Sequence, residues 1–224
     1  MFNLPIFTTL LTATFALAQY GAPPAGPASP ASSAPPPPAP SAPASNSTQI
    51  NVNVAPNGQF QFNPNNITAA NGTLITFFFP NAGIAHSVTQ SSFADPCTYL
   101  TANGSEPAGF DSGLQQAVEF TINITDDSQP IWFHCKQVDH CGLGMVGAIN
   151  APTTGNFTFQ NFMTSALAIG SNEATESDSG PVTGGVNGIA TAAPSSDVGN
   201  AGSAKMVADI GLAVFAIGMV AMFL

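Results

Sequence analysis

Three soft or borderline donors recur at five-residue steps in one short stretch of this chain: Cys135, His140 and Met145. They lie in the run Ile131-Trp132-Phe133-His134-Cys135-Lys136-Gln137-Val138-Asp139-His140-Cys141-Gly142-Leu143-Gly144-Met145. If a strand runs through Ile131 to Cys135, then Phe133 and Cys135 share one face and Trp132 and His134 the other. A strand end, a tight loop and a following strand would bring the thiolate, the imidazole and the thioether to one point. A second imidazole is needed, and His86, in Ala85-His86-Ser87-Val88 after a β-prone run, is the natural candidate. Two imidazoles, one thiolate and a weak axial thioether form the ligand set of a type 1 (blue) copper centre. Thiolate and thioether favour Cu(I), whereas imidazole holds both oxidation states. A near-trigonal site fixed by the protein therefore suits electron transfer, because little has to move. One copper ion is the cofactor this reading expects.

The cysteine count is odd: Cys97, Cys135 and Cys141. Outside the cell two of them can pair. The third is then a free thiol, an intermolecular bridge or a metal-bound thiolate. Three pairings are possible, and counting does not choose among them. A zinc site is compatible with Cys and His, but a Met ligand speaks against it. No hydrolase elbow and no glycosidase carboxylate pair stands out, and the acids read as solvated surface.

The elements that must position these donors occupy only part of the 224 residues. Residues 1–18 read as a secretory signal peptide, with an apolar stretch ending in the small-x-small site Ala16-Leu17-Ala18. Residues 19–46 are a Pro/Ala/Ser-rich linker, including Pro35-Pro36-Pro37-Pro38, which favours extended polyproline II over a packed core. Residues 169–203 are rich in Gly, Ser and Thr and read as a flexible stalk. Residues 204–224 end in an apolar tail too short to span a bilayer comfortably. With the small residues before it, the tail reads as a GPI-attachment signal, and Asn200 is the expected attachment residue.

The domain lies between the stalks, at residues 47–168. Ile50, Val52 and Val54 alternate with polar residues, as do Phe60 and Phe62, and Val118, Phe120, Ile122 and Ile124. Leu74 to Phe79, Ile131 to Cys135 and Met145 to Ile149 are further β-prone runs, separated by turn signals such as Asn57-Gly58, Asn71-Gly72 and Asn103-Gly104. Many short strands at close spacing predict an all-β sandwich or barrel. One short helix is allowed, from Phe159 to Ala168. Six N-glycosylation sequons, at Asn46, Asn66, Asn71, Asn103, Asn123 and Asn156, predict a sugared surface.

At the donor run the chain resembles the cupredoxins, specifically the fungal secreted cupredoxin-like proteins with serine-rich, GPI-anchored tails. The residues that carry the resemblance are His86-Ser87-Val88-Thr89-Gln90-Ser91-Ser92 through Cys97, Ile131-Trp132-Phe133, and Cys135 to Met145. The chain is similar also to plant phytocyanins, which share the Cys-x4-His-x4-axial spacing. The resemblance implies a Greek-key β-sandwich in which His86, Cys135, His140 and Met145 bind copper. It implies a Cys97–Cys141 disulfide, leaving Cys135 as the odd thiol. His134 stands where the family often has an aromatic residue, and the link from Cys97 to Val118 is long. Multicopper oxidases such as laccases also place a His before the Cys, but their trinuclear cluster needs many more than the three His present here.

Charge narrows the partners. The only basic residues are Lys136 and Lys205, against 12 acids, for a net charge of -10. Phosphate neutralisation needs clusters of Lys and Arg, so nucleic acid is excluded as a partner. The expected partners are a redox protein or a copper-handling protein, and the membrane outer leaflet or cell wall through the anchor. The expected function is electron transfer at the cell surface by a protein that is not an enzyme. Extracellular copper capture and a structural wall module are the alternatives.

Overall fold

The computed structural model describes residues 42–196. The signal peptide, most of the first linker, Asn200 and the 204–224 tail lie outside the described residues. Nine strands form two sheets. In chain order they are β1 (Gln49–Val54), β2 (Phe62–Asn63), β3 (Asn66–Ile67), β4 (Leu74–Phe78), β5 (Thr89–Ser91), β6 (Glu119–Ile124), β7 (Ile131–His134), β8 (Val146–Ile149) and β9 (Gly188–Ile189). One sheet has the order β2-β1-β4-β6-β9 and the other β3-β8-β7-β5. Two pairs are parallel, β1 with β4 and β3 with β8, and both join strands that are not consecutive in the chain.

Period-two patterning builds the core. Val52 and Val54, Ile75 and Phe77, and Phe120, Ile122 and Ile124 come from the first sheet. They meet Ile131, Phe133, Cys135 and Ile149 of the second sheet and its flank in one buried cluster. Three aromatic rings lock its middle: Phe133 is 5.0 Å from Phe62 and 5.4 Å from Phe77, both edge to face. Such pairs add about 0.5–1.5 kcal/mol each beyond area burial.

The other face of the second sheet is covered by the helix α1 (Phe159–Ile169). Thr158 caps it by accepting the Asn161 N–H at 3.2 Å. Phe162 and Ala166, one turn apart, are buried against Trp132, Val146 and Ala148. No helix among the described residues is long and apolar enough to cross a membrane.

The folded unit does not stop at residue 168, as composition suggested. Beyond α1 the Gly/Ser/Thr-rich segment lies along the sandwich as a strap as far as residue 196. Val182 exchanges two backbone hydrogen bonds with Asp111, at 2.7 and 3.0 Å. Strand β9 adds an edge to β6, and Ser195 exchanges two more bonds with Glu119. Glycine allows this close approach: a Cβ on Gly188 would lie 2.7 Å from the Ile131 side chain. The strap is held mostly by main-chain hydrogen bonds, which leave no hydrophobic period in the sequence. At the other end, the last residues of the 19–46 linker lie against β1. Asn51 donates to the Pro43 carbonyl at 3.0 Å, and Ser45 accepts from the Asn51 N–H at 2.9 Å.

Candidate metal centre

His86 enters from the chain just before β5, paired by its backbone with Gln115. Cys135 follows directly on β7, and its N–H donates to the Met145 carbonyl at 3.0 Å. Between them the loop is closed by the His140 N–H on the Gln137 carbonyl, at 3.0 Å, and the Met145 N–H on the His140 carbonyl, at 2.9 Å. Asp139 and Gly144 take left-handed φ values of 67° and 97°, which tighten the turn. The local geometry thus follows the five-residue spacing: strand end, turn, strand start.

The side chains converge. Cys135 Sγ lies 3.5 Å from His140 Nδ1 and 3.9 Å from His86 Nδ1. Their donor atoms all fall within 4.8 Å of one another. An ion in the plane of three donors, with bonds of about 2.0–2.3 Å, holds those donors about 3.5–4 Å apart. The two spacings from the sulfur fall in that range. Met145 is fully buried in the same cluster as Cys135. Cys97 and Cys141 form a disulfide, with Cα atoms 5.6 Å apart, and Cys135 is the free cysteine.

Electrostatics fit a soft cation. Burial, with the neighbouring His140, lowers His86 to about 4. Burial also lowers His140, against the pull of Asp139. Burial pushes the Cys135 thiol up to about 12, although the Ser87 N–H favours the thiolate. At neutral pH the three groups are therefore uncharged donors facing one another in an apolar surrounding. A thiolate there needs a cation beside it. Two imidazoles, one thiol and an adjacent buried thioether suit copper better than a hard, oxygen-seeking ion.

Several contributing residues were not visible as site residues in the sequence. Phe60 stacks on His140, with ring centroids 4.0 Å apart and planes 24° apart. Ser87 does two things: its N–H points at Cys135 Sγ (3.3 Å) and its hydroxyl accepts the Lys136 N–H (2.8 Å). The Ser87 hydroxyl is also 2.8 Å from that of Thr89, which donates to Asp111. Lys136 itself is buried and places its ammonium 2.7 Å from Asp111 and 2.9 Å from Asp178. Burial alone would lower its pKa, but the two carboxylates outweigh it and hold the ammonium above its usual range. His134 faces away from Cys135, as strand alternation requires. It is not a solvent-exposed residue, however. It is completely buried, 3.4 Å from Glu176. The reason is the strap, which covers this face.

The ligand loop is also packed from outside. A Cβ on Gly142 would run into the Gly170 carbonyl oxygen. Gly142→Ala is therefore expected to destabilise the metal-free protein by about 1–3 kcal/mol, the usual range for overpacking. Urea denaturation checks this; an unchanged midpoint would contradict the close packing. Phe60→Leu keeps an apolar side chain but removes the ring stack on His140. A loss of about 0.5–1.5 kcal/mol corresponds to copper binding weakened about two- to twelve-fold, measurable by competition with a chelator.

Of the six sequons, Asn46, Asn66, Asn71, Asn103 and Asn156 are exposed. Asn123 is half-buried within β6, with its side-chain oxygen buried and lacking a hydrogen-bond partner.

The family of copper binding proteins, plastocyanin/azurin family, matches residues 49–151. The chain is 31% identical over 166 residues to "Probable GPI-anchored cupredoxin-1" of Arthroderma benhamiae, covering 71% of this chain and 84% of that relative. It is also 31% identical over 100 residues to an "Extracellular serine-rich protein" of the same organism, covering 44% of this chain and 38% of that relative. Among solved structures, a pseudoazurin from Sinorhizobium meliltoi aligns with 54% of this chain and 94% of its own at 14% identity, with a TM-score of 0.29. Converging donors, a two-sheet frame, the copper-binding family match and the relative aligned over 71% of this chain agree: the chain belongs to the cupredoxins.

Proposed function

We propose that this cupredoxin carries electrons outside the cell, and that His86, Cys135 and His140, with the thioether of Met145 as a weaker fourth donor, would hold one type 1 copper ion. The observation that carries the reading is the buried trio of donors, with the His140 and His86 nitrogens 3.5 and 3.9 Å from the Cys135 sulfur. Copper, when bound, supplies a one-electron couple between Cu(I) and Cu(II). The protein's own groups do the rest. Cys135 would bind as the thiolate, its proton released to water as the ion enters, and the Ser87 N–H would steady the sulfur. Phe60 covers the His140 ring against water. Loop hydrogen bonds and the disulfide hold the donors so that little reorganises when the charge changes. The exposed apolar side chains Leu143 and Val138 on the ligand loop, with Ile84 two residues before His86, offer a docking patch for a redox partner.

Such a carrier is not an enzyme. A signal peptide over residues 1–18 and a GPI anchor at Asn200 would place it at the membrane outer leaflet or cell wall. The relatives' names, a GPI-anchored cupredoxin and an extracellular serine-rich protein, support that location. Glycans on the exposed sequons fit it as well.

Protein-film voltammetry of the copper-loaded full chain tests the electron-transfer reading. One reversible one-electron wave is expected. Absence of the wave together with tight Cu(I) binding would overturn it in favour of copper capture.

A further inference from the structure

The segment after α1 carries three acids that all land on the copper-ligand region. Glu173 accepts the Gly142 N–H, directly after the His140-Cys141 pair. Glu176 accepts the Tyr99 N–H at 2.6 Å and sits 3.4 Å from the ring of His134, which precedes Cys135. Asp178 pairs at 2.9 Å with Lys136, which follows Cys135. The strap's acids thus hold the ligand segment after the thiol and again beyond the imidazole, and Glu176 lies against His134 before it. Lys136 is the only basic side chain apart from His among the described residues, and its side chain is 2% exposed. Composition gives the strap no apolar reason to order here, and these carboxylates supply specific partners. The loop's own bonds run from His140, Gly144 and Met145, and the Gly142 N–H finds its acceptor only on the strap.

We propose that Glu173, Glu176 and Asp178 are positioning residues of the copper site, and that residues 170–178 form a clamp setting the shape of the Cys135–Met145 loop. The clamp rests on the copper reading above, but its action on the loop is a property of the polypeptide. It keeps water from the outer face of the chain at His134 and Lys136, the two neighbours of Cys135 in sequence. It also fixes the turn that carries His140. Without it, Lys136 keeps Asp111, the Gly142 N–H turns to water, and the turn relaxes.

The test uses the full secreted chain and compares Glu173→Ala, Asp178→Ala and their double variant with the conservative Glu173→Gln and Asp178→Asn. Gln and Asn keep an acceptor oxygen, so they are expected to behave nearly as the original. Three measurements are made: the visible spectrum after one equivalent of Cu(II), the rate of copper extraction by excess EDTA, and amide exchange at His140 and Met145 in the metal-free protein. The Ala variants are expected to shift the thiolate-to-copper band, lose copper about ten-fold faster and exchange both loop amides about ten-fold faster, each opening being worth about 1.4 kcal/mol. Unchanged band, extraction and exchange in the Ala variants would overturn the proposal, as would Gln and Asn variants as impaired as Ala. If Asp178→Ala is not secreted, Glu173→Ala alone decides, because it removes one acceptor and no ion pair. Should the original chain show no thiolate-to-copper band, the copper reading fails, and loop exchange still decides the clamp by itself.

Discussion

Replacing Cys135 by Ser is expected to remove the intense visible band completely and to weaken copper binding more than about 100-fold. Even the outer hydrogen-bond partners of metal ligands are worth 10–100-fold, and Cys135 is the only thiol among the donors. The fold should survive. Ser is nearly isosteric, and the Ser87 N–H, now 3.3 Å from the sulfur, can donate to the new hydroxyl. A partly satisfied buried hydroxyl costs about 1–3 kcal/mol. Visible absorption at one equivalent of Cu(II), with far-UV circular dichroism as the control for folding, separates the two effects. A Cys135→Ser protein that remained deeply coloured would mean that the sulfur is not a ligand.

The second large effect is expected from the disulfide. Cys97 and Cys141 are 44 residues apart in sequence. Closing a loop of that length removes enough denatured-state entropy to stabilise the fold by about 4 kcal/mol in the chain-entropy account. Cys97→Ala with Cys141→Ala is therefore expected to lower the unfolding free energy by about 2–5 kcal/mol, read from urea denaturation. Cys141 follows His140 directly, so the same change loosens the turn that carries that imidazole. A thermodynamic loss below about 1 kcal/mol, well under the usual range, would show that the Cys97–Val118 link is already constrained by its other contacts. Those contacts include the Asp111 bridges to Thr89 and Val182.

The convergence of His86, Cys135 and His140 was legible because rare residue types at fixed separations survive in a bare sequence. Alternation through Ile131 to Cys135 also oriented β7 correctly, with Phe133 and Cys135 inward and Trp132 and His134 outward. What covers the outward face was not legible. Glu173, Glu176 and Asp178 sit in a Gly- and Ser-rich stretch, and acids in such a stretch look like solvated surface. Their partners, Gly142 and Lys136, lie more than thirty residues away, and two of the contacts involve backbone N–H groups that have no sequence signature. Phe60 illustrates a second limit. Its two-residue spacing from Phe62 suggested a shared strand face. In fact the chain turns through left-handed Ala55 and Asn57 and enters β2 only at Phe62. Phe62 drops into the core, and Phe60 is left over His140.

The central claim is that His86, Cys135 and His140 form a copper centre with a thiolate ligand. The most direct measurement is a visible-absorption titration of the full secreted chain with Cu(II). An intense thiolate-to-copper band that saturates at one ion per chain is the predicted result. A chain that stays colourless while its Cys97–Cys141 bridge is intact would contradict it.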